Sequence, residues 1–129
     1  MKRSFFSLML TLLIISCKKE KNRICELYSG PKGYEIGTVT KYVATPGKVI
    51  YSNSYSVNGN VYEGKERAYG IGQKNERLLE KDFLVVYNTN NPQESDLNKD
   101  FPLKSKAELQ QLQNKFFNQP PEPDWPKCK

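Results

Sequence analysis

The Asn58-Gly59 pair restricts the fold of this chain more than any other local feature, because it separates two segments of alternating polarity. Over residues 49–57, most odd positions carry Val or Tyr, and the even positions carry mainly Ser. A period of two is typical of a strand with one buried face. Asn-Gly between such runs favours a type I′ turn, whose two central residues both need positive φ. The sequence therefore predicts a β-hairpin over residues 49–64.

The two-residue turn also fixes which residues face each other across the hairpin. Val57 is expected opposite Asn60, and Tyr55 opposite Tyr62. Tyr51, Tyr55 and Tyr62 would then share one face of the sheet. If that face is exposed, the three tyrosines form a candidate binding face for a peptide, a glycan or an inhibited enzyme. If the C-terminal helix packs on it they are core, which is the favoured interpretation because a sheet with one helix must bury its apolar face.

Two further segments have the composition of strands. Residues 35–43 are rich in β-branched side chains and are followed by the turn dipeptide Pro46-Gly47. Residues 83–87 form a continuous apolar run that suits a central, fully covered strand, which Asn90-Asn91-Pro92 should end. Residues 73–80 fit either a short helical turn or another strand. All eight Gly lie between residues 30 and 72, which places the turns in this half of the chain.

A helix is predicted near the C-terminus. Ser105 and Glu108 have the spacing of a capping box, in which Ser caps the helix and Glu reaches back. One apolar stripe follows at i, i+3, i+7 and i+8: Leu109, Leu112, Phe116 and Phe117. Asn118-Gln119-Pro120 should end the helix, and the Pro-rich remainder is expected to be extended, with Trp125 available to pack beneath it. The expected fold class is mainly β (α+β): a small antiparallel sheet or open barrel, one C-terminal helix and an extended tail.

The first sixteen residues predict a secretory leader. Lys2 and Arg3 precede an apolar run over residues 5–15 that is shorter than the ~20 residues needed to span a bilayer. A basic start before an apolar run of this length is typical of a signal peptide. Residues 14–17, Ile-Ile-Ser-Cys, resemble the lipobox of bacterial lipoproteins, whose Cys receives a diacylglycerol. The resemblance implies lipidation of Cys17 and a mature protein that starts there; the alternative is an ordinary signal peptide with a coincidental Cys.

The residues after Cys17 bear on location. Lys18-Lys19-Glu20-Lys21 is expected to be a solvated, flexible tether. It matches neither the Asp signal for inner-membrane retention nor the acidic signal for surface export known in some lipoproteins. By resemblance, the protein is expected in the bacterial cell envelope, lipid-anchored in the outer membrane and facing the periplasm. The expected division of the chain is a signal peptide (1–16), a lipidated tether (17–27), a β domain (28–100), a C-terminal helix (101–119) and a Pro-rich tail (120–129).

The other two cysteines, Cys25 and Cys128, form an even pair in an oxidising compartment once Cys17 is lipidated. We expect a disulfide between them that closes a loop of roughly a hundred residues and contributes about 4–5 kcal/mol in the chain-entropy model. The alternatives are two free thiols or pairing with another chain.

Residues 51–64, 85–88 and 91–97 carry a pattern close to Y-x-Y-x-V-x-G-x-x-Y-x-G followed by V-x-Y-[ND]-x-x-N-P-x-x-S-x-L. This pattern resembles a widespread domain of unknown function in small extracytoplasmic and membrane-anchored bacterial proteins, and the chain as a whole resembles small lipoproteins of Bacteroidota. The match spans residues 36–97, and Asn53 stands where the pattern has its first Tyr. The resemblance implies a β-rich sheet or open barrel and transfers no catalytic or binding site.

The side chains that could support catalysis are few. The chain has no His, which excludes mechanisms and metal sites that depend on imidazole. Gly70-Ile71-Gly72 lacks the third Gly and the βαβ setting of a nucleotide loop and is interpreted as a turn. Four glutamates could supply a carboxylate pair, but five basic residues lie among them, which favours a solvated face. These residues are Glu63, Glu66, Glu76 and Glu80, with Lys65, Arg67, Lys74, Arg77 and Lys81.

The net charge of +6 bears on partners. Nucleic acid is not expected, because the compartment is wrong and no basic cluster is interleaved with aromatic residues; anionic envelope surfaces suit the charge better. No cofactor and no metal are expected. We expect a non-enzymatic, membrane-anchored module that binds an envelope protein or polymer. The alternative is an inhibitor or immunity lipoprotein against a toxin or a lysozyme-like hydrolase.

Overall fold

Five antiparallel strands and two helices make up the described part of the chain, which in this computed structural model comprises residues 21–69, 78–124 and 126–128. The expectations for the leader, Cys17, residues 70–77 and Trp125 lie outside these residues. The elements in chain order are α1 (residues 21–29), β1 (Lys32–Thr45), β2 (Lys48–Val57), β3 (Asn60–Tyr69), β4 (Asp82–Asn88), β5 (Asn91–Pro102) and α2 (Lys106–Asn118). Within these ranges no helix is long and apolar enough to cross a membrane.

The predicted hairpin is confirmed, with its register. Val57 pairs with Asn60, and Tyr55 pairs with Tyr62. Asn58 and Gly59 have φ values of 52° and 83°, the positive values that a type I′ turn requires. The rings of Tyr55 and Tyr62 stack with centroids 5.7 Å apart, so the cross-strand aromatic pair adds to the stability of the hairpin.

The strands form one open sheet in the order β3-β2-β1-β4-β5, which confirms the expected mainly β fold. The sheet curves so far that its two edge strands, β3 and β5, approach each other along a line that we call the seam. Side chains rather than a main-chain ladder bridge the seam. Gln93 Nε2 donates to the Glu63 carbonyl at 2.8 Å, and the Leu97 N–H donates to Glu66 Oε1 at 2.8 Å. Side-chain bridges of this kind occupy edge groups that would otherwise remain open to pairing.

The inner face of the curved sheet holds one apolar cluster. Strand alternation directs every second side chain of β2 and β4 into it. A Cβ at Gly37 would lie 2.3 Å from Val85 Cγ2, so this inward position of β1 must be Gly for the neighbouring strands to close over it. The buried apolar members are Val39, Val49, Tyr51, Tyr55, Val57, Phe83, Val85 and Leu97.

The outer face of the sheet is covered by the two helices, which form a second apolar cluster. Leu84 and Val86 of β4 point outward between the inward residues of the same strand and are fully buried. This explains why β4 is a continuous apolar run: both of its faces are covered. The helices contribute Ile24, Leu27 and Tyr28 from α1 and Leu109 and Phe116 from α2, with Leu103 between them.

The expected tether over residues 17–27 is wrong from residue 21 onward, because residues 21–29 are helical. Ile24, Leu27 and Tyr28 are spaced i, i+3 and i+4, so they form one apolar stripe that the outer face of the sheet buries. The charged residues around this stripe gave the segment the composition of a solvated linker. Only the presence of a sheet face to cover makes a helix of this length stable.

The expected helix over residues 101–119 also begins too early, because β5 runs to Pro102 and α2 starts at Lys106. The predicted cap is confirmed: Ser105 Oγ accepts from the Glu108 N–H at 3.3 Å. The Glu108 carboxylate reaches back to the Lys104 N–H at 2.8 Å, one residue before the cap. The apolar stripe is confirmed at Leu109 and Phe116, whereas Phe117 is 89% exposed.

The expected disulfide is present: Cys25 of α1 is bonded to Cys128, with Cα atoms 5.5 Å apart. The bond connects residues 103 positions apart in the sequence and fixes the end of the chain onto α1. Asn98 Nδ2 supports the same arrangement by donating to the Glu122 carbonyl at 2.8 Å. The C-terminal tail is thus held against α1 and β5.

Candidate functional site

The three tyrosines of the candidate binding face lie on the inner face of the sheet. Tyr51 is 0% and Tyr55 2% exposed, so both belong to the core, while Tyr62 is half-buried at the margin. Their cover is not the C-terminal helix, since α2 packs on the outer face through Leu109 and Phe116. The curvature of the sheet buries them instead.

Polar contacts hold two of these tyrosines in place. The Tyr55 hydroxyl donates to the Pro92 carbonyl at 2.6 Å and so ties β2 to the first residues of β5. Burial raises the pKa of Tyr51 to about 12, and Lys99 Nζ lies 5.6 Å from the centroid of its ring. Both tyrosines therefore remain neutral at physiological pH. Tyr55 is a structural hydrogen-bond donor, whereas the buried Tyr51 hydroxyl has no hydrogen-bond partner among the described residues and Tyr51 acts through packing.

A group of four polar side chains, which we call the buried polar cluster, lies where the seam meets α1. It consists of Tyr28, Glu66, Asp96 and Asn98. The Tyr28 hydroxyl donates to Asp96 Oδ2 at 2.6 Å and accepts from Asn98 Nδ2 at 3.0 Å. The Glu66 and Asp96 carboxyl groups interact with each other, and Glu66 Oε1 also accepts from the Leu97 N–H. Asp96 Oδ1 has no hydrogen-bond partner among the described residues. The cluster links α1, β3 and β5.

Alternation along β3 and β5 brings the two carboxyl groups together. Glu66 lies opposite Tyr51 and so points to the inner face, whereas Asp96 lies opposite Val86 and points to the outer face. The two side chains come from opposite faces and meet at the edge, where β3 and β5 approach each other. No spacing in the sequence predicts this contact.

Burial determines the protonation of the pair. It raises the pKa of Asp96 to about 6, against the opposing effect of the Tyr28 hydrogen bond. Burial and then the charge of Asp96 raise the pKa of Glu66 well above its ordinary value. Two carboxyl groups in contact share a proton because both cannot be charged at this distance. Burial therefore favours the protonated form of both carboxyl groups, and the two groups titrate as a pair.

The expectation that Glu66 belongs to a solvated face is wrong. Its neighbours Glu63 and Lys65 are exposed, but Glu66 lies in the seam. The reasoning from interleaved charges treats adjacent residues alike, while a strand directs neighbours to opposite faces. Glu80, another member of the set, lies at the end of the turn before β4 with φ 64° and is exposed, and Glu76 lies outside the described residues.

The surface contains a groove of about 600 Å³, which we call the tail groove, between α1, the end of β5 and the C-terminal tail. The Cys25–Cys128 disulfide forms part of its wall, so the covalent link shapes it directly. Its described lining residues are Cys25, Tyr28, Ser29, Asp100, Phe101, Pro121, Glu122, Pro123, Asp124, Lys127 and Cys128.

The chemistry available to these sites differs. Asp96 is 1% exposed, so a solute cannot reach it without opening the fold, and the buried polar cluster is suited to holding elements together. Among the described residues, no group of three or more Asp, Glu or Cys side chains is placed to hold a metal ion. The tail groove is open to solvent and combines aromatic, proline and charged side chains, which is the composition of a recognition surface.

Comparison with known proteins gives no match to this chain. No protein-family model, no curated protein sequence and no solved structure is significantly similar to it. The resemblance to the domain of unknown function therefore remains a prediction from the residue pattern.

Proposed function

We propose that this chain is a lipid-anchored, non-enzymatic interaction module of the bacterial cell envelope, held in the outer membrane and facing the periplasm. The observation that carries the proposal is the lipobox-like sequence at Cys17, followed within four residues by a helix that is fixed to the fold. A chain of four residues spans at most about 14 Å. A lipid on Cys17 would therefore hold the domain close to the membrane surface.

The attachment of α1 supports this role. Ile24, Leu27 and Tyr28 are buried against the sheet, and Cys25 is bonded to Cys128. Because α1 cannot move independently of the sheet, a lipid on Cys17 would keep this end of the domain nearest to the membrane. A disulfide across 103 residues also fits an oxidising compartment.

The non-enzymatic part of the proposal rests on the chemistry of the described residues. The chain has no His, and among the described residues the Glu66 and Asp96 carboxyl groups meet in the seam, where Asp96 is 1% exposed. A general acid must be within reach of its substrate. The buried position of the pair supports a structural role instead.

Metabolic labelling tests the anchor. Cells that express the full chain are grown with an alkyne-bearing fatty acid, and the protein is isolated and coupled to a fluorescent azide. We expect a labelled band for the natural chain and none for Cys17→Ser, because the thioether is the first acylation site. The Cys25→Ser/Cys128→Ser variant is the matched control and should stay labelled. A natural chain without label contradicts the proposal.

The inhibitor or immunity alternative predicts one tight protein partner. The mixed apolar and charged lining of the tail groove is compatible with this alternative as well. Affinity purification from envelope extract separates the two functions. A single toxin or lysozyme-like hydrolase bound in equal amount would favour the inhibitor, an envelope polymer or a non-catalytic envelope protein favours the module, and no bound partner would contradict both.

A further inference from the structure

The tail groove has a fixed shape. One wall is α1, with Tyr28 and Ser29, and the other is the tail, with Pro121 and Pro123. Besides the disulfide, the Lys99 N–H donates to Asp124 Oδ2 at 3.4 Å, which holds the tail to β5. A groove whose walls are already ordered loses little conformational entropy when a ligand binds.

The charge of the groove is opposite to that of the chain. Its described lining carries three carboxylates, those of Asp100, Glu122 and Asp124, and one ammonium, that of Lys127. Asp124 is ion-paired with Lys99 Nζ at 3.9 Å, which leaves a small excess of negative charge in the groove. The whole chain has a net charge of +6. Asp100 and Glu122 are exposed, so a ligand that approaches from solvent meets both residues. The groove is therefore a local negative region on a basic protein.

The groove continues past Phe101. A second groove of about 460 Å³ shares Asp100 and Phe101 with it and extends along α2, where Glu108, Leu112 and Lys115 line it. The ring of Phe101 packs edge-on against Phe116 with centroids 5.3 Å apart, which fixes it between the two grooves. Together the two grooves form an elongated surface, which suits an extended ligand better than a compact one.

We propose that the tail groove and its continuation bind an extended, basic segment of a partner protein; the proposal deepens the function proposed above and rests on it. The aliphatic stems of Lys or Arg cover apolar surface while their charged ends remain near carboxylates. Phe101 and the prolines supply that surface, and Asp100 and Glu122 supply the charges. Anionic polymers are disfavoured here because the same carboxylates repel them.

Fluorescence anisotropy with defined peptides tests this assignment. The probe is a ten-residue peptide of alternating Arg and Leu with a fluorescein label, and its counterpart carries Glu in place of Arg. The full chain, processed by the cell and purified in a neutral detergent, should bind the Arg peptide and not the Glu peptide. The Asp100→Asn/Glu122→Gln variant should bind at least roughly fivefold more weakly, because it loses two exposed charge pairs.

Glu63→Gln is the matched control, because Glu63 is also exposed but lies on β3, away from the groove. This variant should bind the Arg peptide as the natural chain does. Equal weakening by Glu63→Gln would overturn the proposal, since the peptide would then respond to overall charge alone. Binding of heparin that depends on Asp100 and Glu122 would overturn it as well, in favour of an anionic polymer.

The disulfide gives an independent readout. Reduction, or Cys25→Ser/Cys128→Ser, should weaken Arg-peptide binding in protein that circular dichroism shows to be folded, because the tail wall is released. Unchanged binding would exclude the groove as the site. A folded, acylated protein that binds no Arg peptide overturns the groove assignment and does not contradict the anchored module. Missing acylation contradicts the lipid anchor, regardless of the peptide-binding result.

Discussion

Glu66 and Lys65 are adjacent in β3, yet one lies in the seam and the other in solvent. The difference follows from the two-residue period of a strand, which directs neighbours to opposite faces. Burial then changes the chemistry of Glu66: the pKa of its carboxyl group is raised well above the ordinary value, and the group accepts from the Leu97 N–H and lies against Asp96. A residue that composition assigns to a solvated face is thus a structural group in the seam.

Substitution of Glu66 tests this description. Glu66→Ala removes the acceptor of a main-chain N–H and should lower the free energy of unfolding by about 1–3 kcal/mol. Glu66→Gln retains an oxygen for the Leu97 N–H and offers an amide N–H to Asp96, so its cost should be smaller. Urea denaturation at pH 7 measures both. Glu63→Ala on the same strand should change the free energy of unfolding by no more than about 0.5 kcal/mol. An equal loss of stability for Glu66→Gln and Glu66→Ala would contradict the contacts of Glu66 with Leu97 and Asp96.

At the scale of elements, the hairpin turn depends on backbone conformation alone. Gly59 has φ 83°, and no atom lies within 4 Å of the position that a Cβ would occupy. Gly59→Ala should therefore cost about 1–2 kcal/mol through the left-handed backbone and not through a clash. Thermal denaturation followed by circular dichroism measures the loss, and Ser56→Ala, at an exposed site in the same hairpin, should be close to neutral. No loss for Gly59→Ala would contradict a strained turn.

The helix α1 and the tail depend on each other through the disulfide. Removal of the bond by Cys25→Ser/Cys128→Ser should lower the free energy of unfolding by about 4–5 kcal/mol, because the unfolded chain regains the freedom of a long loop. Chemical denaturation of the double variant and of the reduced natural chain should give the same value. Stability that does not respond to reductant would contradict this link between the two ends of the fold.

At the scale of the whole molecule, the buried polar cluster makes stability depend on pH. The pKa of Asp96 in the folded protein is about 6, above the ordinary value of 3.8. The folded state binds the Asp96 proton more tightly than the unfolded state does. The contribution of Asp96 to the free energy of unfolding is therefore fully present below about pH 4 and is lost as pH rises through 6. The groups that face Asp96 are Glu66 from β3, Tyr28 and Arg23 from α1, and Asp124 from the tail.

We therefore expect the free energy of unfolding to fall by roughly 1–3 kcal/mol between pH 5 and pH 7.5. The Asp96→Asn/Glu66→Gln variant should remove most of this decline, since neither amide titrates in this range. Asp96→Asn alone should remove only part of it, because the raised pKa of Glu66 acts in the same direction. Denaturation curves at several pH values provide the measurement. Asp100→Asn, an exposed site on the same strand, should keep the decline. An equal slope for the natural chain and the Asp96→Asn/Glu66→Gln variant would show that another group is responsible.

The sequence could predict the parts of the fold that short-range physics controls. Positive φ at Asn58 and Gly59 fixes the hairpin and its register, the Ser105 hydroxyl starts α2, and a continuous apolar run marks β4. The sequence does not predict β5, because only Leu97 among its central residues is apolar. Its buried Asp96 and Asn98 are tolerated only through partners on other elements.

The sequence by itself determined the hairpin, the covered strand, the capped helix and the two cysteines available to pair. Turn stereochemistry and side-chain periodicity depend only on residues close together in the sequence, and the cysteine count needs no structure at all. Tertiary structure alone decided that residues 21–29 form a helix, that curvature buries Tyr51 and Tyr55, that Glu66 meets Asp96, and that the tail encloses a negative groove. Each of these depends on which surfaces the folded sheet brings together. Burial and proton sharing are properties of that contact and not of the residue types.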